Sequence, residues 1–175
     1  MVIHDEKSIA FIGFMGVGKT TIGNLVAQKL NWEFIDIDEY IEKEFNLPVS
    51  QIFAKFGEQV FRDKEKEVIK RLSEQPQKIL SLGGGAFLQE EIRQECLKNC
   101  IVIYLDLSLE AWKERLALII ESRPVLKGKS INEMEELFYQ RQAVYSDHHL
   151  KIATDHKSVE GISAEILDAL GTVLK

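Results

Sequence analysis

The stretch Ser8-Ile9-Ala10-Phe11-Ile12-Gly13-Phe14-Met15-Gly16-Val17-Gly18-Lys19-Thr20-Thr21 most constrains what this chain can become. An apolar run of strand type enters a glycine-rich turn, and Lys-Thr then opens a segment in which Ile22, Leu25, Val26 and Leu30 recur at helical spacing. Strand, loop and helix in that order, with the pattern Gly13-x-x-x-x-Gly18-Lys19-Thr20, make a P-loop. Glycines let successive backbone N–H groups turn inward, and the helix N-terminus adds its positive end, so the loop forms an anion nest. Gly16, Val17, Gly18, Lys19, Thr20 and Thr21 are the expected contacts to a nucleotide. Lys19 supplies a charge for the β- and γ-phosphates, and the Thr20 hydroxyl is placed to enter the oxygen shell of Mg²⁺. The loop alone does not separate a kinase from a GTPase or an ATP-driven switch.

The acceptor side must therefore be read from the rest of the chain, and composition narrows it. A length of 175 residues suits one domain, spanning residues 1–175 and burying roughly 70% of its unfolded surface. The formal charge of −6, with acids and bases interspersed, argues against a nucleic-acid or anionic-membrane partner and favours a small molecule. Cys96 and Cys100 lack the companions of a zinc site and read as ordinary thiols, which fits a reducing cytoplasm. Met1 to Lys7 has no apolar signal region, and no apolar run approaches a membrane span, so neither secretion nor insertion is expected.

Along the chain, short apolar runs alternate with helical patterns. Phe34-Ile35-Asp36, Ile79-Leu80-Ser81-Leu82, Ile101 to Leu105 and Lys151 to Thr154 read as strands after the first. Helices are expected up to Phe45 after Asp38, from Pro48 through Phe53, from Glu58 to Leu72, around Glu90 to Lys98, from Leu109 to Ile120, from Ile131 to Tyr145, and through Ile162, Ile166 and Leu170. This alternation, without repeats or linkers, predicts an α/β fold on a parallel sheet. Ligands of such sheets sit beyond the carboxyl ends of strands, so Gly13 to Lys19, Asp36 to Asp38 and Gly83 to Gly85 should share one crevice.

Three features there bear on the acceptor. Asp36-x-Asp38 offers one carboxylate for a metal and one for an acceptor hydroxyl, although the same pair would also serve as a helix N-cap and first-turn charge. Gly83-Gly84-Gly85 at a strand end suggests a close backbone approach to a ligand, with a tight turn as the plainer reading. Arg62, Arg123 and Arg141, each an ordinary surface charge on its own, together suit a phosphate or carboxylate ligand through their bidentate forks. Glu65, one turn after Arg62, is placed to hold that guanidinium, and the Pro/Gly-containing loop with Arg123 has the form of a kinase lid that excludes water.

These motifs in this order resemble the bacterial shikimate kinases over nearly the whole chain: Gly13 through Thr20, Asp36-Ile37-Asp38, Ile52-Phe53, Gly57-Glu58-Gln59-Val60-Phe61-Arg62, Leu82-Gly83-Gly84-Gly85, Arg123-Pro124 and Arg141-x-x-x-Tyr145. The resemblance implies a three-layer α/β/α P-loop kinase fold with a five-stranded parallel sheet, an acceptor-binding helical segment at about 38–72, and a mobile lid at about 120–130. It implies transfer of the ATP γ-phosphate to the 3-hydroxyl of shikimate, with Mg²⁺, by a monomeric cytoplasmic enzyme of chorismate and aromatic amino acid biosynthesis. Carried over by position, Lys19, Asp38 and Arg123 would be catalytic, and Thr20 and Asp36 would hold the metal. Asp38, Arg62, Gly83, Gly84, Gly85 and Arg141 would bind shikimate, with Phe53 and Phe61 walling its ring, while Arg115 and Arg123 would reach the nucleotide. Thr154-Asp155-His156-Lys157-Ser158 departs from the Arg- and Pro-containing adenine loop of some members. A gluconate-like or nucleoside-monophosphate kinase, and a nucleotide-dependent binding module without chemistry, are the alternatives.

Overall fold

The computed structural model describes residues 7–14, 18–119 and 128–173. Its centre is β1 (Ser8–Ile12), whose side chains alternate between two faces and are all buried. A strand buried on both faces needs cover on both, which explains why its sequence is apolar without alternation. Among the described residues β3 (Lys78–Ser81) and β4 (Cys100–Asp106) pair in parallel on either side of β1, setting Ala10 opposite Leu80 and Val102. Outside them lie β2 (Glu33–Asp36), with Phe34 opposite Ile79, and β5 (Leu150–Ala153), with Lys151 opposite Tyr104. The order β2-β3-β1-β4-β5 has every pair parallel, as the alternating sequence pattern predicts.

Helices fill the crossovers. α1 (Lys19–Leu30) packs on α8 (Val159–Val173), and α4 (Glu58–Ser73) packs on α5 (Glu90–Asn99). The chain leaves β1 toward β2 in one direction and leaves β3 for β4 in the other. Right-handed crossovers then send α1 and α5 to opposite faces and open a crevice beyond the ends of β1 and β3. α2 (Ile37–Phe45) and α3 (Val49–Phe56) stand at that end of the sheet beside α4. α6 (Leu109–Ile119) follows β4, and α7 (Ile131–Val144) follows Ser130, whose hydroxyl accepts from Glu133 N and caps the helix. α1 and α2 stop at Asn31 and Asn46, both left-handed, so an asparagine takes the place a glycine often fills at helix ends.

One buried hydroxyl fastens the centre of the sheet to its neighbour. Ser8 Oγ donates to the Gln75 carbonyl and accepts from Lys78 N at 2.8 Å, joining the start of β1 to the turn that delivers β3. Ser8→Ala strands both backbone groups, and equilibrium urea unfolding should show a loss of about 1–3 kcal/mol with an unchanged slope. No measurable loss would mean that the two groups find other partners.

Candidate active site

The P-loop supplies the first half of the crevice. Gly18, at φ 104°, occupies a left-handed conformation at the N-cap of α1 that a side chain would strain. Lys19, the first helical residue, is buried, and its Nζ donates to the Gly13 carbonyl at 2.7 Å and the Phe14 carbonyl at 3.3 Å. Thr20 and Thr21 follow on the exposed first turn. The Phe14 ring packs edge-on against Trp112 of α6 at 4.9 Å and Phe138 of α7 at 5.2 Å, anchoring the loop in an aromatic cluster. Gly16, Val17 and Arg123 lie outside the described residues.

Thr20 Oγ1 donates to Asp36 Oδ2 at 2.7 Å, which ties the phosphate loop to the end of β2. Asp36 Oδ1 accepts from Glu39 N at 3.0 Å. The capping reading of Asp36 holds: the carboxylate caps α2 with one oxygen, and its other oxygen meets the P-loop hydroxyl. A hydroxyl and a carboxylate at a strand end form a hard-oxygen pair suited to Mg²⁺, which keeps much of its shell for water and phosphate. Among the described residues there is no cluster of three or more His, Cys, Asp or Glu that would hold a metal by protein ligands alone.

Gly83-Gly84-Gly85 organises the second half. Leu82 N bonds the Phe11 carbonyl at 3.1 Å, so this turn leaves the sheet beside the P-loop strand. A Cβ on Gly83 would stand 2.8 Å from Asp38 Oδ1, and one on Gly85 would stand 2.6 Å from Arg62 Nη2. Arg141 and Tyr145 both donate to the carbonyl of Gly84. Three consecutive glycines thus bring together Asp38, Arg141 and Arg62, from three different helices. The plainer reading holds as well, since Ala86 N bonds the Gly83 carbonyl at 3.1 Å and closes a tight turn into the following helix; at Gly83 and Gly85 the run also admits the close approach of Asp38 and Arg62.

Arg62 projects from α4 over Phe61 at 5.4 Å and Phe53 at 6.0 Å, and those two rings meet at 5.2 Å. Phe61 is buried in the core, and Phe53 lies half-buried at its edge. Arg62 Nη1 pairs with Glu65 at 3.0 Å, as the i, i+3 spacing predicts, and its Nε reaches Glu58 at 3.4 Å. Burial lowers the Arg141 pKa and the Arg62 charge lowers it further, while arginine nevertheless keeps its charge; the two guanidinium groups meet adjacent glycines of the same turn. Burial pushes Tyr145 up to about 12 against the pull of Arg141, so its hydroxyl stays protonated and donating. Tyr145 stands in the sequence motif, but its contact with Gly84 is a long-range one that spacing cannot reveal.

Arg115 sits apart from this group. It lies half-buried on α6, within electrostatic reach of Asp155 in the 154–158 loop. Asp155 Oδ1 accepts from Ser108 N at 3.0 Å, and those hydrogen bonds hold its pKa below the ordinary value. The contact joins the loop after β4 to the loop after β5.

A phosphate-loop pattern, an acidic residue tied to it, and two arginines at a glycine turn are the parts of a P-loop phosphotransferase acting on a small anionic acceptor. Comparisons with known proteins agree. The shikimate kinase family pattern matches residues 15–171. A shikimate kinase of Bacillus subtilis is 55% identical over 166 residues, covering 94% of this chain and 89% of the relative. One from Oceanobacillus iheyensis is 51% identical over 165 residues, covering 94% and 90%. The solved shikimate kinase from Acinetobacter baumannii in complex with shikimate is 31% identical and superposes with a TM-score of 0.89, covering 97% of this chain and 96% of that one. The chain belongs to the shikimate kinase family.

Glu65 gives the site a pH signature. Burial raises its pKa from 4.5 to about 7; the Arg62 charge and hydrogen bond oppose the rise, Asp38 adds to it, and the Gln89 hydrogen bond opposes it. The folded protein therefore holds this proton more tightly than the unfolded chain. The contribution to stability is full below pH 4.5, declines as pH rises toward 7, and is gone above it, about 3 kcal/mol in all. Glu65→Gln should remove that decline, seen as a wild-type-minus-variant stability difference that shrinks between pH 4.5 and 7.5 in urea titrations. A constant difference would assign the titration to another group.

Proposed function

We propose that this chain transfers the γ-phosphate of ATP to the 3-hydroxyl of shikimate, giving shikimate 3-phosphate and ADP on the route to chorismate and the aromatic amino acids. Membership of the family supports the activity. The observation that carries the roles is the glycine turn, where Asp38, Arg141 and Arg62 meet one backbone segment. Arg62 and Arg141 take the acceptor carboxylate, which holds that anionic end away from the negatively charged ATP and turns the far hydroxyl toward the phosphate loop. Gly83, Gly84 and Gly85 offer backbone groups to the ring hydroxyls, and Phe53 and Phe61 form the wall behind Arg62.

Asp38 receives or orients the proton of the attacking hydroxyl, at the first turn of α2, two residues from the P-loop partner Asp36. Gly16, Val17, Gly18, Lys19, Thr20 and Thr21 bind the nucleotide phosphates, and Arg115 lies along the adenine. Thr20 and Asp36 would hold Mg²⁺, which supplies charge neutralisation on the phosphates when bound. Arg123, in a lid of about residues 120–130, completes the charge on the transferring group. The same reading makes the chain a single-domain cytoplasmic monomer, without a nucleic-acid or membrane partner. A net charge of −6 supports this, and no described helix is long and apolar enough to cross a membrane.

Coupled ADP release should require both shikimate and Mg²⁺, with shikimate 3-phosphate identified by mass spectrometry; turnover with a different acid alone would overturn the assignment. Arg62→Ala should raise the KM for shikimate by about two orders of magnitude with a smaller change in kcat. Asp38→Asn should instead lower kcat by about 10²–10⁴. The opposite split would exchange the two roles.

A further inference from the structure

Glu65 is a fully buried carboxylate with an uneven set of partners. Its Oε1 accepts from Arg62 Nη1 at 3.0 Å and from Gln89 Nε2 at 2.9 Å, while Oε2 is buried and meets no donor. The Gln89 amide also reaches the backbone carbonyl of Arg62 at 3.4 Å. Gln89 stands at the N-cap of α5, directly after the 3-10 turn Ala86–Leu88 that continues the glycine run. One amide thus joins the segment carrying Gly83–Gly85 to the helix carrying Arg62.

We propose that Gln89 is a positioning residue for the acceptor site: it fixes the Glu65 carboxylate, and Glu65 in turn fixes the Arg62 guanidinium. This rests on the reading above, in which Arg62 meets the carboxylate of shikimate. An arginine side chain has many rotamers, and a partner on its own helix can swing with it. Two donors from different elements converging on one oxygen remove that freedom, so the remaining edge of the fork is presented in one orientation. A neutral amide does this without competing for the charge of Arg62, whereas a cation there would draw Glu65 away and an acid would repel it. The charged groups around Glu65 are Arg62 on its own helix and Asp38 from α2, with Arg141 from α7 beyond Arg62. Because the Gln89 hydrogen bond favours the ionised form of Glu65, losing it must raise the pH at which Glu65 takes a proton.

The test is Gln89→Met, which keeps length and removes the donor, beside Gln89→Glu and Glu65→Gln. For Gln89→Met the expected result is a KM for shikimate raised about tenfold, with kcat and the KM for ATP within about twofold. The acid-side midpoint of kcat/KM for shikimate should move upward, and Gln89→Glu should move it further. In a Glu65→Gln background, Gln89→Met should add little. Equal damage to the ATP and shikimate parameters, additive effects of the two substitutions, or an unmoved midpoint would each overturn the proposal. Calorimetric titration of shikimate into each variant reads the binding loss without turnover. Absence of shikimate binding and turnover in the unmodified protein would defeat the functional reading instead. The proton-binding midpoint of Glu65, read from stability against pH, would still decide whether Gln89 holds it.

Discussion

The candidate site depends on a stretch of backbone that polar side chains approach where a Cβ would otherwise stand. Asp38 and Arg62 come so close to Gly83 and Gly85 that a methyl group at either position would have to push the tip of one of these side chains aside. Arg141 and Tyr145 spend donors on the carbonyl between. α2, α4 and α7 are far apart in sequence, and this turn is where their polar groups are brought into one frame. The parallel sheet makes the frame possible, because it delivers the turn beside the P-loop strand through the bond from Leu82 N to Phe11 O.

Charge is distributed around that frame in two compartments. Lys19 lies on the P-loop side, its Nζ held by the Gly13 and Phe14 carbonyls, and Arg62 and Arg141 lie at the glycine turn, with Asp36 tied to the P-loop through Thr20 and Asp38 beside Gly83. Placing two guanidinium groups at one glycine turn costs desolvation and repulsion, which Glu65 and Glu58 relieve for Arg62, while Arg141 donates to a neutral carbonyl. Glu65 itself is buried to the point that its own ionisation is disfavoured.

Much of this was legible from residue order, and the parts that were not share a cause. Apolar runs and their spacing placed the strands and helices, because a parallel sheet buried on both faces leaves an unambiguous pattern. Arg62 with Glu65 could be paired from helical spacing alone, and the observed contact follows it. Asp36 and Asp38 could not be divided between capping and chemistry from spacing, because a carboxylate has two oxygens: Asp36 caps α2 with one and meets the Thr20 hydroxyl with the other. Gln89 left no signal because an amide after a glycine turn is unremarkable until the fold sets it against Glu65. The only clue available was its place at the start of a helix, where a polar residue has a simpler explanation. Tyr145 bonding to Gly84, sixty-one residues away, is long-range in the same sense.

The aromatic cluster under the P-loop has a consequence of an optical kind. The chain has two tryptophans, and they occupy unlike surroundings: Trp32 is half-buried just past the end of α1, while Trp112 is fully buried with its indole against the ring of Phe14. Phe14 follows directly on β1 and Gly13, so the emission of one indole is set by the packing where the chain leaves that strand. The protein carries its own fluorophore against a residue just past the first strand, and a spectrometer can read the packing there without any label being attached.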